Sequence, residues 1–298
     1  MRTTRTHLTP DRSSRWAASA QYRFLDALMS DVRLEYKQIA FHGGTSLHFS
    51  WRSPRLSEDL DFLVAKNAAD LRDIVERARS VTAQAFQADD PNFVVNLKDK
   101  SKNHDRMISY QLVVSHPAFL GKTMVKVEFW KVDPEYLANY PVEMRSPIRA
   151  GELVSRISNP VPAATLLTAF CDKLTAFATR PFLKWRDIYD LWWIGTQTDT
   201  NLDVSQVVAQ FLHNVTAYNT IDGLAPAQAL RKFLEHDPAE LVKRADPDLK
   251  LWLPEALWTK LHPQVTAEMV QYVRHALESV ANAIESHELD VSLKRVRS

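Results

Sequence analysis

The sequence has few of the residues that build disulfides and flexible loops. It contains 298 residues but only one cysteine and six glycines. A single cysteine excludes an intramolecular disulfide and a zinc site built from several cysteines. Cys171 has Leu167, Phe170 and Leu174 near it, which favours a buried side chain over a nucleophile. The cysteine content therefore agrees with the reducing cytoplasm, where we expect this protein to reside.

Long apolar runs and an excess of one charge are also absent. No run of about 18 apolar residues occurs, as a membrane span would require. The basic N-terminus, MRTTRTHLTPDRSSRW, leads into no apolar segment of signal-peptide type. The 37 Lys and Arg residues nearly balance the 36 Asp and Glu residues. Because the overall charge does not indicate a nucleic-acid or membrane partner, any basic surface must be local.

Secondary-structure patterns divide the sequence into an α/β half and a helical half. Strand-like segments lie at residues 38–41, 60–65, 93–97, 107–115 and 123–132, and helix-like segments at 14–29, 45–51 and 69–86. The pattern becomes wholly helical from about residue 162, after a segment that contains several prolines. We therefore predict two domains, an α/β domain over residues 1–155 and an all-helical domain over residues 156–298.

Two aspartates, Asp59 and Asp61, lie on a predicted strand with one leucine between them. Residues two apart on a strand point to the same face, so the two carboxylates lie side by side. Such a pair is repulsive unless a cation lies between its members, and a divalent metal with oxygen ligands fits this position. The alternative is a solvated strand end. The pattern makes both aspartates candidate magnesium ligands.

A third carboxylate, Glu128, lies on the last predicted strand of the first half. Val125, Val127 and Phe129 form the apolar face of that strand. Glu128 therefore points to the other face, together with Lys126. If the two strands are neighbours, Glu128 completes a cluster of three carboxylates. The alternative is a Lys and a Glu on the solvent-exposed side of a half-buried strand.

Two adjacent glycines, Gly43 and Gly44, lie between a predicted strand and a predicted helix. Glycine allows a close approach of the backbone to a ligand, and the first amides of a helix lack internal partners. The turn is therefore a candidate phosphate cradle, to which Thr45, Ser46 and Arg55 can add donors. A plain strand-to-helix turn is the alternative. The spacing fits neither a dinucleotide-binding fingerprint nor a P-loop, which argues against a Rossmann dehydrogenase and a P-loop ATPase.

Two stretches carry a resemblance to a known family. Residues 43–62, GGTSLHFSWRSPRLSEDLDF, resemble the first motif of the AbiEii/AbiGii-type toxin nucleotidyltransferases, which belong to the polymerase-β-like superfamily and are related to the MenT toxins. The matching positions are Gly43, Gly44, Thr45, Leu47, Arg55, Ser57, Asp59, Leu60, Asp61 and Phe62. Residues 172–194 resemble the later motifs through Lys173, Arg180, Arg186, Asp187 and Asp190. The last hundred residues carry no matching motif.

The resemblance implies an α+β fold and a set of site residues. The N-terminal domain would be of the polymerase-β-like type, with a mixed sheet flanked by helices, and the helical domain would complete a cleft for nucleotide and acceptor. Magnesium, or manganese in its place, would bind Asp59, Asp61 and Glu128, which together with Lys173 would form the catalytic group. The nucleotide-binding residues would be Gly43, Gly44, Thr45, Arg55, Ser57, Lys173, Asp187 and Asp190.

Local patterns leave other interpretations of the later motif open. Lys173 has phenylalanines at helical neighbour positions, so its alkyl chain can pack on apolar surface while the ammonium reaches solvent. Asp187 and Asp190 share a helix face, with Arg186 beside them, and a structural ion-pair network is an alternative to a direct role. The sequence does not decide which aspartate is functional.

The predicted function is that of a toxin of a toxin–antitoxin system. The resemblance implies transfer of a nucleoside monophosphate from a nucleoside triphosphate to the 3′ end of transfer RNA, which blocks aminoacylation and growth. The local run of Arg180, Lys184 and Arg186 adds support, since it can follow a phosphate backbone. The resemblance also implies a cognate antitoxin of winged-helix or kinase-like type. The alternatives are transfer to a small molecule such as an aminoglycoside, transfer to a protein hydroxyl, and an inactive binding protein of the same fold.

Overall fold

The computed structural model describes residues 5–68, 70–102, 104–148, 159–180, 182–197, 202–218 and 225–297, without the side chains of 217–218 and 287–297. These residues form an α+β structure with two compact units. The sheet unit consists of Met1–Arg52 and Ser57–Ala164, and the helical unit of Ser53–Leu56 and Thr165–Ser298. The predicted boundary between residues 155 and 156 lies outside the described residues.

The sheet unit is built around one mixed sheet. Its elements are β1 (Thr6–His7), α1 (Pro10–Met29), β2 (Ile39–His42), α2 (Gly43–Trp51), β3 (Asp59–Ala65), α3 (Leu71–Asp89), β4 (Val94–Asp99), β5 (Met107–Ser115), β6 (Phe119–Leu120), β7 (Thr123–Val132), α4 (Pro134–Ala138), β8 (Val142–Arg145) and β9 (Val161–Ala164). Seven strands pair in the order β4-β5-β7-β3-β2-β9-β8, and β1 pairs with β6. Within the seven-stranded sheet, β3 is parallel to β7 and β2 is parallel to β9, whereas the other neighbours are antiparallel. The separate pair of β1 and β6 is parallel.

The alternation of side chains gives the sheet two different faces. On one face of the sheet, the alternate apolar side chains of β3 and β7 are completely buried and pack in one cluster with residues of α1 and α3. This cluster includes Phe24, Leu28, Leu60, Phe62, Val64, Ile74, Val75, Val125, Val127 and Phe129. The apolar face predicted for β7 is thereby confirmed. The opposite face carries Asp59 and Asp61 of β3 and Lys126 and Glu128 of β7, because successive side chains of a strand point to opposite sides.

The strand β9 was not predicted, and residues 163 and 164 were expected to begin a helix. Ala163 is instead paired with Phe41 of β2, and the backbone carbonyl of Ala164 accepts a hydrogen bond from Trp51 Nε1 at 2.9 Å. All four residues of β9 are buried. A short, fully buried strand lacks the alternation of polar and apolar residues, so its sequence pattern is the same as that of a buried helix segment.

The described part of the helical unit is built from helices, in agreement with the wholly helical pattern of the second half. They are α5 (Leu166–Thr179), α6 (Trp185–Gly195), α7 (Val204–Tyr218), α8 (Pro226–Arg231), α9 (Pro238–Trp252), α10 (Glu255–Leu261) and α11 (Gln264–Arg297). Thr165 caps α5 by accepting a hydrogen bond from Thr168 N at 3.1 Å. Buried side chains of the unit include Phe170, Leu174, Ile188, Leu191, Phe211, Leu230, Leu249, Val273 and Leu277. Among the described residues, no helix has the length and apolar character that crossing a membrane requires.

Candidate active site

Asp59, Asp61 and Glu128 lie on one face of two neighbouring strands. In the parallel pairing of β3 with β7, Asp61 is opposite Glu128 and Asp59 is opposite Lys126. Side chains at paired positions of adjacent strands are next to each other on the same face. All three carboxylates are half-buried. The structure therefore brings together the three residues that were predicted as metal ligands.

Gly43 places the start of α2 against Asp61. Its φ is +78°, and a Cβ atom at this position would lie 2.7 Å from Asp61 Oδ2. Only glycine fits, because the backbone conformation is left-handed and there is no room for a side chain. The turn that was predicted as a phosphate cradle therefore adjoins the carboxylates directly. The predicted contacts of Gly43 and Gly44 with phosphate stay a prediction.

Thr45 and Ser57 hold the segment that leads into β3. Thr45 is completely buried, and its hydroxyl is hydrogen-bonded to the Ser57 hydroxyl at 2.7 Å. The Thr45 hydroxyl also donates to the backbone carbonyl of Asp59. Gln21 Nε2 donates to the backbone carbonyl of Ser57 at 3.1 Å. These contacts position the first residue of the carboxylate strand, and a contact of Thr45 or Ser57 with nucleotide stays a prediction.

Lys126 supplies a positive charge beside the carboxylates. Its Nζ lies 2.8 Å from Glu128 Oε2. Burial opposes the charge of the ammonium, but the hydrogen bond to Glu128 and the negative charges of Glu128, Asp59 and Asp61 raise the pKa of Lys126 above its ordinary value. In the part of the chain that the structure describes, no three His, Cys, Asp or Glu side chains are already arranged to hold a metal ion. Glu128 is engaged by Lys126 instead.

The carboxylate face nevertheless fits a hard divalent cation. Asp59 and Asp61 project together from β3, and Glu128 is one strand away at the register of Asp61. Carboxylate oxygens are the ligands that magnesium and manganese prefer, and a site of this kind keeps several waters in addition to a few carboxylates. Asp59 and Asp61 would hold the ion, and Glu128, one strand away, would be a third ligand.

Lys173 of α5 lies in a buried ion-pair network of the helical unit. Its Nζ is 2.7 Å from Asp187 Oδ1 and 2.7 Å from Asp190 Oδ2. Arg55 donates from Nε and Nη2 to the two oxygens of Asp190, at 2.6 and 2.9 Å. Arg180 Nη1 donates to Asp187 Oδ2. The structure contradicts the alternative in which the ammonium of Lys173 reaches solvent, because it is paired with two buried aspartates.

Burial and charge act against each other within this network. The side chains of Asp187 and Asp190 are 4% and 0% exposed. Burial opposes ionisation of Asp187, yet the nearby charges of Lys173, Arg180 and Arg55 prevail and lower its pKa to about 2. Burial likewise opposes the charge of Lys173, and the two aspartates raise its pKa above the ordinary value. Asp187 and Lys173 therefore stay ionised although water is nearly excluded from them.

Arg55 lies in the same buried network, and its predicted contact with a nucleotide stays a prediction. Its side chain is 2% exposed. Its third donor group, Nη1, binds the backbone carbonyl of Leu56 at 2.8 Å, in addition to the two bonds to Asp190. The guanidinium of Arg55 thus holds the Ser53–Leu56 segment within the helical unit. The predicted nucleotide contacts of Lys173, Asp187 and Asp190 stay predictions.

Three basic residues, Arg180, Lys184 and Arg186, lie close to the start of α6. Burial lowers the pKa of Lys184, and the positive charges of Arg180 and Arg186 lower it further. The guanidinium of Arg186 lies over the ring of Trp252, 4.5 Å from its centroid. Phe182, in the loop before α6, is 62% exposed. The helical unit therefore presents clustered positive charge beside an exposed aromatic side chain.

Two residues beside the carboxylates were not predicted as site residues. His42 is opposite Asp61 in the pairing of β2 with β3, and Ser109 is opposite Glu128 in the pairing of β5 with β7. Both occupy the same face as the carboxylates. Each is a polar residue on a strand that is otherwise largely apolar, which is the signal that the sequence contains. The sequence does not show that His42 pairs with Asp61 or that Ser109 pairs with Glu128, because each pair is formed by residues on different strands.

Comparisons with known proteins identify the family and structures with a similar fold. Residues 23–283 match the protein family described as "Nucleotidyl transferase AbiEii toxin, Type IV TA system". No curated protein matches the sequence significantly. The structure of JHP933 from Helicobacter pylori is similar with a TM-score of 0.56 and 16% identity, over 98% of this chain and 100% of that chain. MenT4, a nucleotidyltransferase toxin of Mycobacterium tuberculosis H37Rv, is similar with a TM-score of 0.53 and 18% identity, over 96% and 94%.

At these identities the structural similarity concerns the fold, whereas the family match concerns the sequence of most of the chain. The family match confirms the resemblance inferred from residues 43–62 and 172–194, and with it the class of enzyme. The chain therefore belongs to the family of AbiEii nucleotidyl transferase toxins of type IV toxin–antitoxin systems.

Proposed function

We propose that the protein transfers a nucleoside monophosphate from a nucleoside triphosphate to the 3′ end of a transfer RNA, and so blocks aminoacylation and growth. The observation that carries this proposal is the placement of Asp59, Asp61 and Glu128 on one face of β3 and β7, with Asp61 and Glu128 in register. Membership of the AbiEii family supports the class of reaction and implies an antitoxin partner. The winged-helix or kinase-like type of that antitoxin is part of the proposal.

Asp59, Asp61 and Glu128 are the residues that would hold magnesium, or manganese in its place. The bound ions would supply positive charge that stabilises the transferring phosphoryl group and favours ionisation of the acceptor hydroxyl. The carboxylates are suited to this task because they are adjacent, half-buried and negatively charged. The protein contributes position and charge, and forms no covalent intermediate.

The start of α2 would bind the triphosphate. The first N–H groups of a helix have no partner within the helix, and the side chain of His42 does not cap α2. An anion is favoured at such a terminus. Because Gly43 adjoins Asp61, phosphate held there would lie beside the carboxylates. Thr45 and Ser57 would keep this turn and the start of β3 in place.

The reaction is an in-line displacement at the α-phosphorus. The 3′ oxygen of the acceptor forms a bond to this phosphorus, the bond to the oxygen that bridges the α- and β-phosphates breaks, and pyrophosphate leaves. Glu128 is the residue we assign to orient the acceptor hydroxyl and to favour loss of its proton. The resemblance to the family assigns Lys173 to the phosphates, and its lasting positive charge suits that assignment.

The choice of transfer RNA as acceptor is supported by the charge of the helical unit. Arg180, Lys184 and Arg186 concentrate positive charge, which favours binding to a phosphate backbone. The exposed ring of Phe182 offers a surface on which an unpaired base can stack. A small molecule or a protein hydroxyl as acceptor gives a different product in the test that follows.

The test uses purified protein, magnesium, each α-labelled nucleoside triphosphate in turn and total RNA. We expect label in transfer RNA with the natural protein, and none with Asp61→Ala or Glu128→Gln. Asp133→Ala is a matched control, because this carboxylate is 70% exposed and pairs only with exposed Lys66 among the described ion pairs. Label in protein, in an added aminoglycoside or in no acceptor would contradict the assignment of transfer RNA.

A further inference from the structure

The carboxylate face already contains a cation of its own. Lys126 is opposite Asp59 in the pairing of β3 with β7, and its Nζ lies 2.8 Å from Glu128 Oε2. Asp61 lies at the next position on the same face, opposite Glu128. The ammonium therefore occupies part of the region in which metal ligands would have to converge.

The two members of this ion pair differ in their freedom. The side chain of Glu128 is 12% exposed, whereas that of Lys126 is 49% exposed. Lysine has a long flexible chain and can turn toward solvent or toward another anion, while the shorter glutamate is confined by its neighbours. A carboxylate that is bound to an ammonium is a poor metal ligand, since the two cations repel each other and compete for the same oxygens.

We propose that Lys126 is a positioning residue that holds Glu128 out of the metal ligand set in the free protein and releases it when an anionic triphosphate binds. This inference rests on the proposed function, which places metal and triphosphate on this face. The triphosphate gives the ammonium a new partner, and Glu128 then becomes available as the third ligand. Binding of metal and binding of triphosphate strengthen each other, because such a coupling is reciprocal.

The face also contains a matched control. Lys98 of β4 is opposite Gln111 of β5, and Gln111 is opposite Lys126 of β7. Lys98 therefore points to the same face from a position two strands away, about 10 Å by the usual spacing of strands. It is exposed. Lys98→Gln removes the same charge as Lys126→Gln without touching Glu128.

The first experiment measures Mn²⁺ binding without nucleotide, by the electron paramagnetic resonance signal of free Mn²⁺. We expect Lys126→Gln to bind Mn²⁺ more tightly than the natural protein, by roughly twofold to fivefold, which is the range for loss of a competing exposed ion pair. Lys126→Arg keeps a cation and should bind Mn²⁺ as weakly as the natural protein. Lys98→Gln should also leave the affinity unchanged. An unchanged affinity in Lys126→Gln, or an equal gain in Lys98→Gln, would overturn the inference.

The second experiment asks whether Lys126 acts through Glu128. In a Glu128→Gln background, Lys126→Gln should no longer tighten Mn²⁺ binding, because there is no carboxylate left to release. A full gain in that background would mean that the lysine acts only as a nearby charge, and the inference fails.

The third experiment adds a triphosphate analogue that cannot be cleaved between the α- and β-phosphates. After correction for Mn²⁺ bound by free analogue, the analogue should increase Mn²⁺ affinity in the natural protein by more than in Lys126→Gln. Equal increases in the two proteins would overturn the coupling. If the natural protein binds no Mn²⁺, or binds it equally well with Asp61→Ala, the metal site of the proposed function fails and this inference fails with it. Binding that depends on Asp61 but not on Lys126 overturns the inference alone.

Discussion

Asp190 lies at the centre of the buried ion-pair network of the helical unit. Its side chain is 0% exposed, it accepts two hydrogen bonds from Arg55 at 2.6 and 2.9 Å, and Lys173 Nζ is 2.7 Å away. Asp190→Ala leaves Arg55 and Lys173 with Asp187 as the remaining aspartate of the network. Because removal of one partner of a buried pair costs about 3–5 kcal/mol, we expect the free energy of unfolding to fall by that amount.

Arg55→Ala should cost less than Asp190→Ala. Asp190 would keep its ion pair with Lys173 at 2.7 Å, so no isolated charge remains. The loss is then that of charge-assisted hydrogen bonds, about 1.5–3 kcal/mol. The double variant should lose less than the sum of the two single variants, because both remove the same contacts. Urea unfolding followed by tryptophan fluorescence measures all three values.

The exposed pair of Lys66 and Asp133 is the control for this reasoning. Its Nζ–Oδ1 distance of 2.8 Å is similar to the distances within the network, but the two side chains are 53% and 70% exposed. Water screens such a pair, so Asp133→Ala should change the free energy of unfolding by less than about 1 kcal/mol. Equal losses for Asp190→Ala and Asp133→Ala would refute the argument that burial makes the network costly to break. A strictly additive double variant would refute the claim that Arg55 and Asp190 act as a unit.

Further predictions concern two glycines and the stability of the protein at acidic pH. Gly43→Ala should abolish labelling of the acceptor, because the added Cβ would displace Asp61. It should also lower the free energy of unfolding by about 1–2 kcal/mol, the cost of a left-handed backbone conformation for a residue with a side chain. Full activity of this variant would contradict the close contact between Gly43 and Asp61. Gly195→Ala should strongly destabilise the helical unit, because its Cβ would lie 1.7 Å from Tyr272 Oη; a thermal unfolding midpoint equal to that of the natural protein would contradict this packing. The pKa of Asp187 is lowered from 3.8 to about 2. The contribution of ionised Asp187 to the free energy of unfolding is therefore present above about pH 4 and is lost as the pH falls toward 2. At about 1.4 kcal/mol per pKa unit, this loss is about 2 kcal/mol. Urea unfolding of Asp187→Asn at several pH values should lack that part of the pH dependence. A pH dependence equal to that of the natural protein would contradict the lowered pKa of Asp187.

The faces of individual strands were predictable because they depend on local backbone geometry. A strand turns its side chains to alternate faces whatever it pairs with, so the apolar face of β7 and the shared face of Asp59 and Asp61 follow from spacing. Both are confirmed by burial and register. Pairing of β3 with β7 was a condition of the predicted carboxylate cluster. That pairing joins residues more than sixty positions apart, as in Asp61 with Glu128, and depends on the whole sheet.

The partners of charged side chains were less predictable than their positions. The sequence places Lys173 near two phenylalanines, which left open a lysine that reaches solvent. Its actual partners, Asp187 and Asp190, are on another helix. Arg55 follows α2 in the chain, yet it belongs to the helical unit and binds Asp190. A charged side chain is buried only where it forms an ion pair or hydrogen bonds, and the spacing of residues along the chain does not show which residues pair.

The sequence by itself determined the family, the order of most helices and strands, and the faces on which the candidate ligands lie, since motifs and periodicity are local properties. Only the tertiary structure decided that Asp61 is in register with Glu128, that Gly43 adjoins Asp61, and that Lys126 holds Glu128. It also decided that Lys173 is enclosed by aspartates. These contacts join residues on separate strands and helices, and their energies depend on burial and distance, which arise only when the chain packs.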